Sequence, residues 1–392
     1  MNKLSSTLLS ILFAIGFAIF SLFAVNRAQA QIPMNDSETL FLIGDLRFGY
    51  FSQMGEQRDG SDLDVHEMRL RSRTGLRFNI HENVYLRARY GIRMTSRDIN
   101  LDPGLHTSAA GNGGLKMGEG AFDEAYINVS ASDRFSFRIG RFQTNYSIPG
   151  VISNSIQRHD SPNTDVRWTD GVMLTLKPAQ LWSTDFILQY HYHNPPTNAF
   201  RSPIQITTDD SPISLYTSIT RSIENRAIEN VSLDINYTPD ALIENSAGDR
   251  ADYLAASLKS ILTWDIGTGR ELQWGGEIAY SFNRPENEMV GFINTNGDKA
   301  GGFGFQSNVS VRNLFENHHL GIIAATLEPS LLTSSDYWNN ILLLEIRHQY
   351  VFNSRLSAET RIRYRGDLQQ LDTADQKRWQ IFPYARLSYR FK

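Results

Sequence analysis

Between residues 68 and 80 the chain takes turns. Met68, Leu70, Thr74, Leu76, Phe78 and Ile80 share one parity, and Arg69, Arg71, Arg73 and Arg77 share the other. A period of two sends successive side chains to opposite faces of an extended strand, so this run predicts a strand with one apolar and one wet face. His81, Glu82 and Asn83 interrupt the pattern. It then resumes with Val84, Leu86, Ala88, Tyr90, Ile92 and Met94 opposed to Arg87, Arg89 and Arg93, which completes a hairpin.

The same alternation recurs along the whole chain. Phe135, Phe137 and Ile139 oppose Ser136 and Arg138; Phe186, Leu188 and Tyr190 oppose Asp185 and Gln189. Leu258 and Leu262 oppose Ser257, Lys259 and Thr263, and Trp379, Ile381 and Leu387 oppose Gln380, Tyr384 and Arg386. Many runs reach ~10–14 residues, nearer the ~9–11 of a tilted membrane strand than the ~5–6 of a soluble one. Aromatic residues gather at the strand ends, as in the interfacial girdles of outer-membrane barrels.

Connections alternate as well. Short links are expected at 81–83, 131–133, 177–181, 265–270, 314–317 and 353–354. Long ones are expected near 54–64, 98–118, 144–164, 194–211, 239–251, 285–300, 328–339 and 367–377. Keeping this order requires a strand near 213–223 that turns at 225–227 into another at 229–237. The expected fold is all-β: one transmembrane antiparallel β-barrel of sixteen strands, with eighteen as the alternative count, over residues 31–392.

Composition narrows the setting. The 392 residues include no cysteine, so disulfides and thiolate metal sites are excluded. A net charge of −4, from 38 basic and 42 acidic residues, argues against nucleic acid as a partner. Lys3, the apolar run 8–25 and Ala28-Gln29-Ala30 form a signal-peptide pattern, so residues 1–30 are expected to be cleaved after Ala30. Beyond them no run approaches the ~18 apolar residues of a membrane helix. The setting this implies is a Gram-negative outer membrane, with its lipid and lipopolysaccharide as surroundings.

Closing the barrel makes its first and last strands neighbours. Arg361, Arg363, Arg365, Arg386 and Arg390 then join Arg47, Arg69, Arg71, Arg73, Arg77, Arg87, Arg89 and Arg93 on one lumen-facing wall, with Asp45, Glu67 and Glu359 among them. An arginine facing lipid near the midplane costs ~2–4 kcal/mol, so these side chains are expected to line the pore. They would favour small anionic or hydrophilic solutes, or else brace the barrel through acids. Residues 145–165 combine Pro149 and Gly150 with Ile148, Val151, Ile152 and Ile156, which suits a loop folded inward. Arg158, His159 and Asp160 are expected at the resulting constriction.

The motifs Phe122-Asp123-Glu124-Ala125-Tyr126, Phe137-Arg138-Ile139-Gly140-Arg141-Phe142 and Asp170-Gly171-Val172 resemble the phosphate-selective outer-membrane porins. The resemblance covers about residues 120–176. It implies a sixteen-stranded anion channel, usually a homotrimer, whose constriction loop is the one after the fifth strand. The absence of lysine between Asn145 and Asp165 departs from a dedicated phosphate site. Alginate-export barrels, which also have arginine-lined lumens, are a related reading, and a non-conducting structural or adhesive barrel is another.

Catalytic and cofactor signatures are missing: there is no phosphate loop, dinucleotide glycine fingerprint or His-Glu-x-x-His helix. Gly111-Asn112-Gly113-Gly114 suits a flexible outer loop. His191 and His193 are read as lumen-lining rather than metal-binding, His318-His319 as a solvated turn, and Asp209-Asp210 as loop residues. No enzyme activity, metal or cofactor is expected.

Overall fold

A computed structural model describes residues 32–95, 102–104, 121–160, 167–190, 213–223, 227–293 and 297–391. The first half of the barrel comprises β1 (Leu40–Glu56), β2 (Asp62–His81), β3 (Val84–Thr95), β4 (Ala121–Ser132), β5 (Phe135–Phe142), β6 (Thr169–Leu176), β7 (Trp182–Tyr190) and β8 (Ile213–Ser222). The second half comprises β9 (Ile228–Ile243), β10 (Arg250–Asp265), β11 (Glu271–Ser281), β12 (Phe303–Phe315), β13 (His318–Leu327), β14 (Ile341–Val351), β15 (Leu356–Asp367) and β16 (Trp379–Phe391). Each strand pairs antiparallel with the next. The ring closes where β16 meets β1, with Tyr384 opposite Phe51 and Arg390 opposite Asp45. Two short segments, Ile32–Pro33 and Asp102–Gly104, add to β1 and β3 without entering the ring. The result is a closed sixteen-stranded antiparallel transmembrane barrel.

The expected strands at 213–223 and 229–237 are β8 and β9, in a continuous register that sets Thr217 opposite Ile235. Two connections expected to be long are short. β1 and β2, of 17 and 20 residues, leave 57–61 as their turn, and β9 and β10 leave 244–249. These hairpins outrun the ~9–11 residues that lipid requires. Beyond the membrane, ladder hydrogen bonds hold a strand with polar side chains on both faces, and such a stretch reads as loop.

Side chains are sorted opposite to those of a soluble protein. Ile322 and Ile362 on the outer face are 50% and 58% exposed, whereas Glu345 and Lys259 on the inner face are 3% and 4% exposed. An apolar outer face is stable only against hydrocarbon, and the polar inner face finds its partners in protein and water. Edge-to-face aromatic pairs mark the rims. Tyr280 and Phe282, with ring centroids 5.4 Å apart, lie toward the long loops; Tyr350 and Phe352, 4.7 Å apart, lie at the short turns. His318 is not simply solvated, because its Nδ1 lies 2.9 Å from His348 Nε2 across the β13–β14 pair. Among the described residues no cluster of metal-ligating side chains forms. The signal segment, 111–114, His191, His193 and Asp209-Asp210 lie outside the described residues.

Candidate functional site: an inward loop facing an arginine wall

The chain leaves β5 at Phe142 and enters the barrel. Asp160 anchors the root of this loop, its Oδ2 accepting from Thr144 N at 2.6 Å and Thr144 Oγ1 at 2.8 Å. Arg158 Nε donates to Thr144 Oγ1 at 2.8 Å, and its Nη2 donates to Gln189 Oε1 at 3.1 Å. Tyr146 donates to Asp185 at 3.0 Å, and its carbonyl accepts from Lys259 Nζ at 2.6 Å. Burial, helped by the Asp185 carboxylate, raises the Tyr146 phenol well above its ordinary range, so it stays protonated and keeps donating.

Beyond the root the segment crosses to the wall formed by β11 to β14. Val151 N donates to Ser310 Oγ at 3.0 Å, Ile156 N donates to Glu277 Oε2 at 2.9 Å, and the Asn308 side chain donates to the Ile152 carbonyl. Ile152 and Ile156 pack with Ala279, Ile323, Ala325, Leu327 and Leu343, apolar residues on the inner parity of this wall. Gly275 makes room for Ile148: a Cβ there would lie 2.2 Å from Ile148 Cγ2.

A second loop, 328–340, clasps the first. Ser334 N donates to the Ile156 carbonyl at 2.6 Å, and Asp336 Oδ2 lies 2.8 Å from His159 Nδ1. Burial and the neighbouring Asp336 carboxylate raise the Tyr337 phenol well above its usual range, and it donates to Gln306. The sequence pattern predicts only a long outer connection near 328–339 here. The signal was there in Leu331-Leu332 among serines and asparagines, the same mixture that marked residues 148–156.

The arginines stand on the adjoining strands β14 to β16 and β1 to β3. The register puts Arg47 beside Arg71 and Arg71 beside Arg93, with Asp45 next to Arg73. Carboxylates are threaded among them. Asp45 holds Arg73 and, at 2.8 Å, Arg71; Asp123 holds Arg89 at 2.8 Å; Glu359 holds Arg386 at 2.8 Å; and Glu345 holds Arg347 at 2.6 Å and also Arg363. Arg87 pairs with Glu124, while Arg77 lies 4.2 Å over the Tyr85 ring and donates to Asn79. Sequence reasoning missed Arg347, Glu345, Asp123 and Glu124 as members of this wall.

Between loop and wall lies a polar space of about 350 Å³, bordered by Arg47, Arg73, Arg347, Arg386 and Arg390 on one side and by Asn145, Gly150, Ser153 and His159 on the other. Toward the long loops a smaller space of about 100 Å³ is bordered by Arg69, Arg361, Arg363 and Arg365. Of the three residues expected at the constriction, His159 borders the larger space. Arg158 and Asp160 are turned away into the loop root, where buried hydrogen bonds hold them.

No protein-family model and no curated protein sequence matches this chain. Solved structures do resemble it. Pseudomonas putida OprB superposes with a TM-score of 0.58 at 8% identity, covering 89% of this chain and 94% of its own. The outer membrane channel DcaP of Acinetobacter baumannii gives 0.52 at 11% identity, covering 89% and 97%. Pseudomonas aeruginosa OpdQ gives 0.52 at 10%, covering 90% and 97%. The fold is that of a Gram-negative outer-membrane porin. At such identities the likeness concerns the barrel; the lumen side chains, on which any solute preference depends, are this chain's own.

Proposed function

We propose that this protein is a diffusion channel of the Gram-negative outer membrane for small hydrophilic solutes, with a preference for anions. The observation that carries the reading is the 350 Å³ space, where Arg47, Arg73, Arg347, Arg386 and Arg390 outnumber the acids Glu359 and Asp336 in the lining. A cationic wall in a narrow, low-dielectric passage raises local anion concentration and lowers the barrier to anion entry. Residues 1–30 act as the export signal in this reading, and the barrel works as a passive pore without cofactor or metal.

The ion pairs favour a second role for the same arginines. Asp45, Asp123, Glu345 and Glu359 each hold at least one guanidinium, which braces the inner wall. Bracing and guiding are compatible, because arginines outnumber carboxylates here and a guanidinium offers several donors. The test is the reversal potential of the purified full-length protein in planar bilayers under a potassium chloride gradient. A potential of the sign set by chloride supports the reading; a potential set by potassium, or no conductance, overturns it.

A further inference from the structure

His318 and His348 meet outside the passage. The β13–β14 register sets His318 opposite Tyr350 and Leu320 opposite His348, so the two histidines are diagonal neighbours of one parity. Ile322 and Ile346 face each other on that same parity and are 50% and 45% exposed, which makes it the outer face. Both histidines lie in the part of their strand nearest the short turns, on the outer rim of the barrel.

Their geometry is that of a ligand pair. His318 Nδ1 lies 2.9 Å from His348 Nε2. The ring planes differ by 27° and the centroids are 5.1 Å apart. The centroids are farther apart than the nitrogens by about the width of a ring, so the imidazoles meet edge to edge and the two nitrogens face one gap. One of them carries the hydrogen of this contact and the other is bare. When the donor ring moves its hydrogen to its other nitrogen, two bare nitrogens face the gap with no change in charge. Tetrahedral zinc holds imidazole nitrogens at ~2.0–2.1 Å, which sets two of them about 3.3 Å apart. Opening the gap from 2.9 Å to that spacing takes only a slight turn of the two rings.

The surroundings select the ion. The Tyr350 ring lies 4.7 Å from that of His318, the Phe315 ring lies 6.4 Å from it, and Phe352 packs edge-on against Tyr350. Among the described residues no carboxylate or third histidine completes a three-ligand cluster with the pair. Magnesium and calcium demand oxygen ligands, whereas neutral imidazoles suit zinc, copper and nickel. Water fills the coordination positions that the protein leaves open.

We propose that His318 and His348 form an accessory two-histidine site for a divalent transition-metal ion of the zinc, copper and nickel class. The bound ion ties β13 to β14 at the outer rim. The pore does not need it, and the site stands whether or not the barrel conducts.

Zinc would be titrated into the detergent-solubilised full-length protein, carrying no polyhistidine tag, with calorimetry as the readout. His318→Ala, His348→Ala and the double change His191→Ala with His193→Ala would be titrated alongside. One equivalent of zinc should bind at micromolar concentration, and millimolar magnesium should not displace it. Each change at 318 or 348 should weaken zinc binding at least about tenfold, because one of only two protein ligands is lost. The changes at 191 and 193 should leave it as it is. Zinc should also raise the thermal unfolding midpoint of the unaltered protein and not that of His348→Ala, since an ion held only by the folded strands stabilises them. An absence of binding at micromolar zinc, full binding in both single variants, or a loss confined to the 191 and 193 variant would overturn the site.

Discussion

Asp123 and Glu124 are adjacent in the chain, yet both carboxylates face the barrel interior. The β3–β4 register slips between Arg89 and Tyr90, so that Glu124 stands opposite Arg89 and Phe122 opposite Tyr90, leaving Asp123 as an extra residue. Such a bulge defeats the alternation of faces locally. Here it brings two acids to Arg87, Arg89 and Arg73, with Asp123 2.8 Å from Arg89 and 3.5 Å from Arg73. Asp123→Leu removes one partner of a buried pair and leaves Arg89 under-compensated. It should destabilise the barrel by about 3–5 kcal/mol, read as a lower urea midpoint for unfolding from vesicles. An unchanged midpoint would show that the pair does no bracing.

In the proposed channel the inward loop would set the width of the passage. Deleting residues 148–156 removes the contacts to Ser310, Asn308 and Glu277. Single-channel conductance should rise severalfold, and an unchanged conductance would count against a narrowing role.

Gly275→Val isolates how the loop is seated. The new side chain enters the volume of Ile148, whose Cγ2 is 2.2 Å from the Cβ position at 275. Overpacking of this kind costs about 1–3 kcal/mol. Adding Ile148→Ala should restore most of the lost stability, so the two changes are non-additive. Additive losses in thermal unfolding would place the loop elsewhere.

Charge reversal should be aimed at arginines that border open space. Arg47 and Arg390 both line the larger space, whereas Arg71 and Arg89 are committed to Asp45 and Asp123 at 2.8 Å each. The double variant Arg47→Glu with Arg390→Glu should move the reversal potential toward that of a cation channel. Arg89→Glu should mainly lower stability, because it places a third acid beside Asp123 and Glu124. A reversal potential that ignores the double change would refute anion guiding by this wall.

The outer face offers an independent check on the membrane setting. Leu258 is 46% exposed on β10, on the face away from Lys259. Leu258→Arg should cost about 2–4 kcal/mol in a lipid bilayer near the midplane, against a few tenths at a water-exposed site. The measurement is unfolding from vesicles, and a negligible cost would argue that this face meets water.

Alternation in residues 68–94 was enough to place Arg69, Arg71, Arg73, Arg77, Arg87, Arg89 and Arg93 on the face away from Leu76, Phe78 and Leu86, because lipid on one side of a strand enforces period two. The same logic placed Arg361, Arg363, Arg365 and Arg386 beside them once the ring was closed. It failed at Asp123, where a bulge resets the parity, and at the β1–β2 tip, where strand pairing continues above the membrane without an apolar face.

Which arginines are held by acids and which border open space was not legible. Arg71 and Arg47 look alike in sequence; in the fold both pair with Asp45, at 2.8 Å and 3.8 Å, and of the two Arg47 borders the larger space. Likewise, Ile148 to Ile156 announced an inward loop, but the partner loop 328–340, the seat at Gly275 and the turning of Arg158 and Asp160 into the root come from contacts between distant segments. The barrel and its two faces follow from local periodicity, since each strand meets lipid and interior independently of the others. The shape and chemistry of the passage follow from register and loop packing, which depend on where segments hundreds of residues apart come to rest.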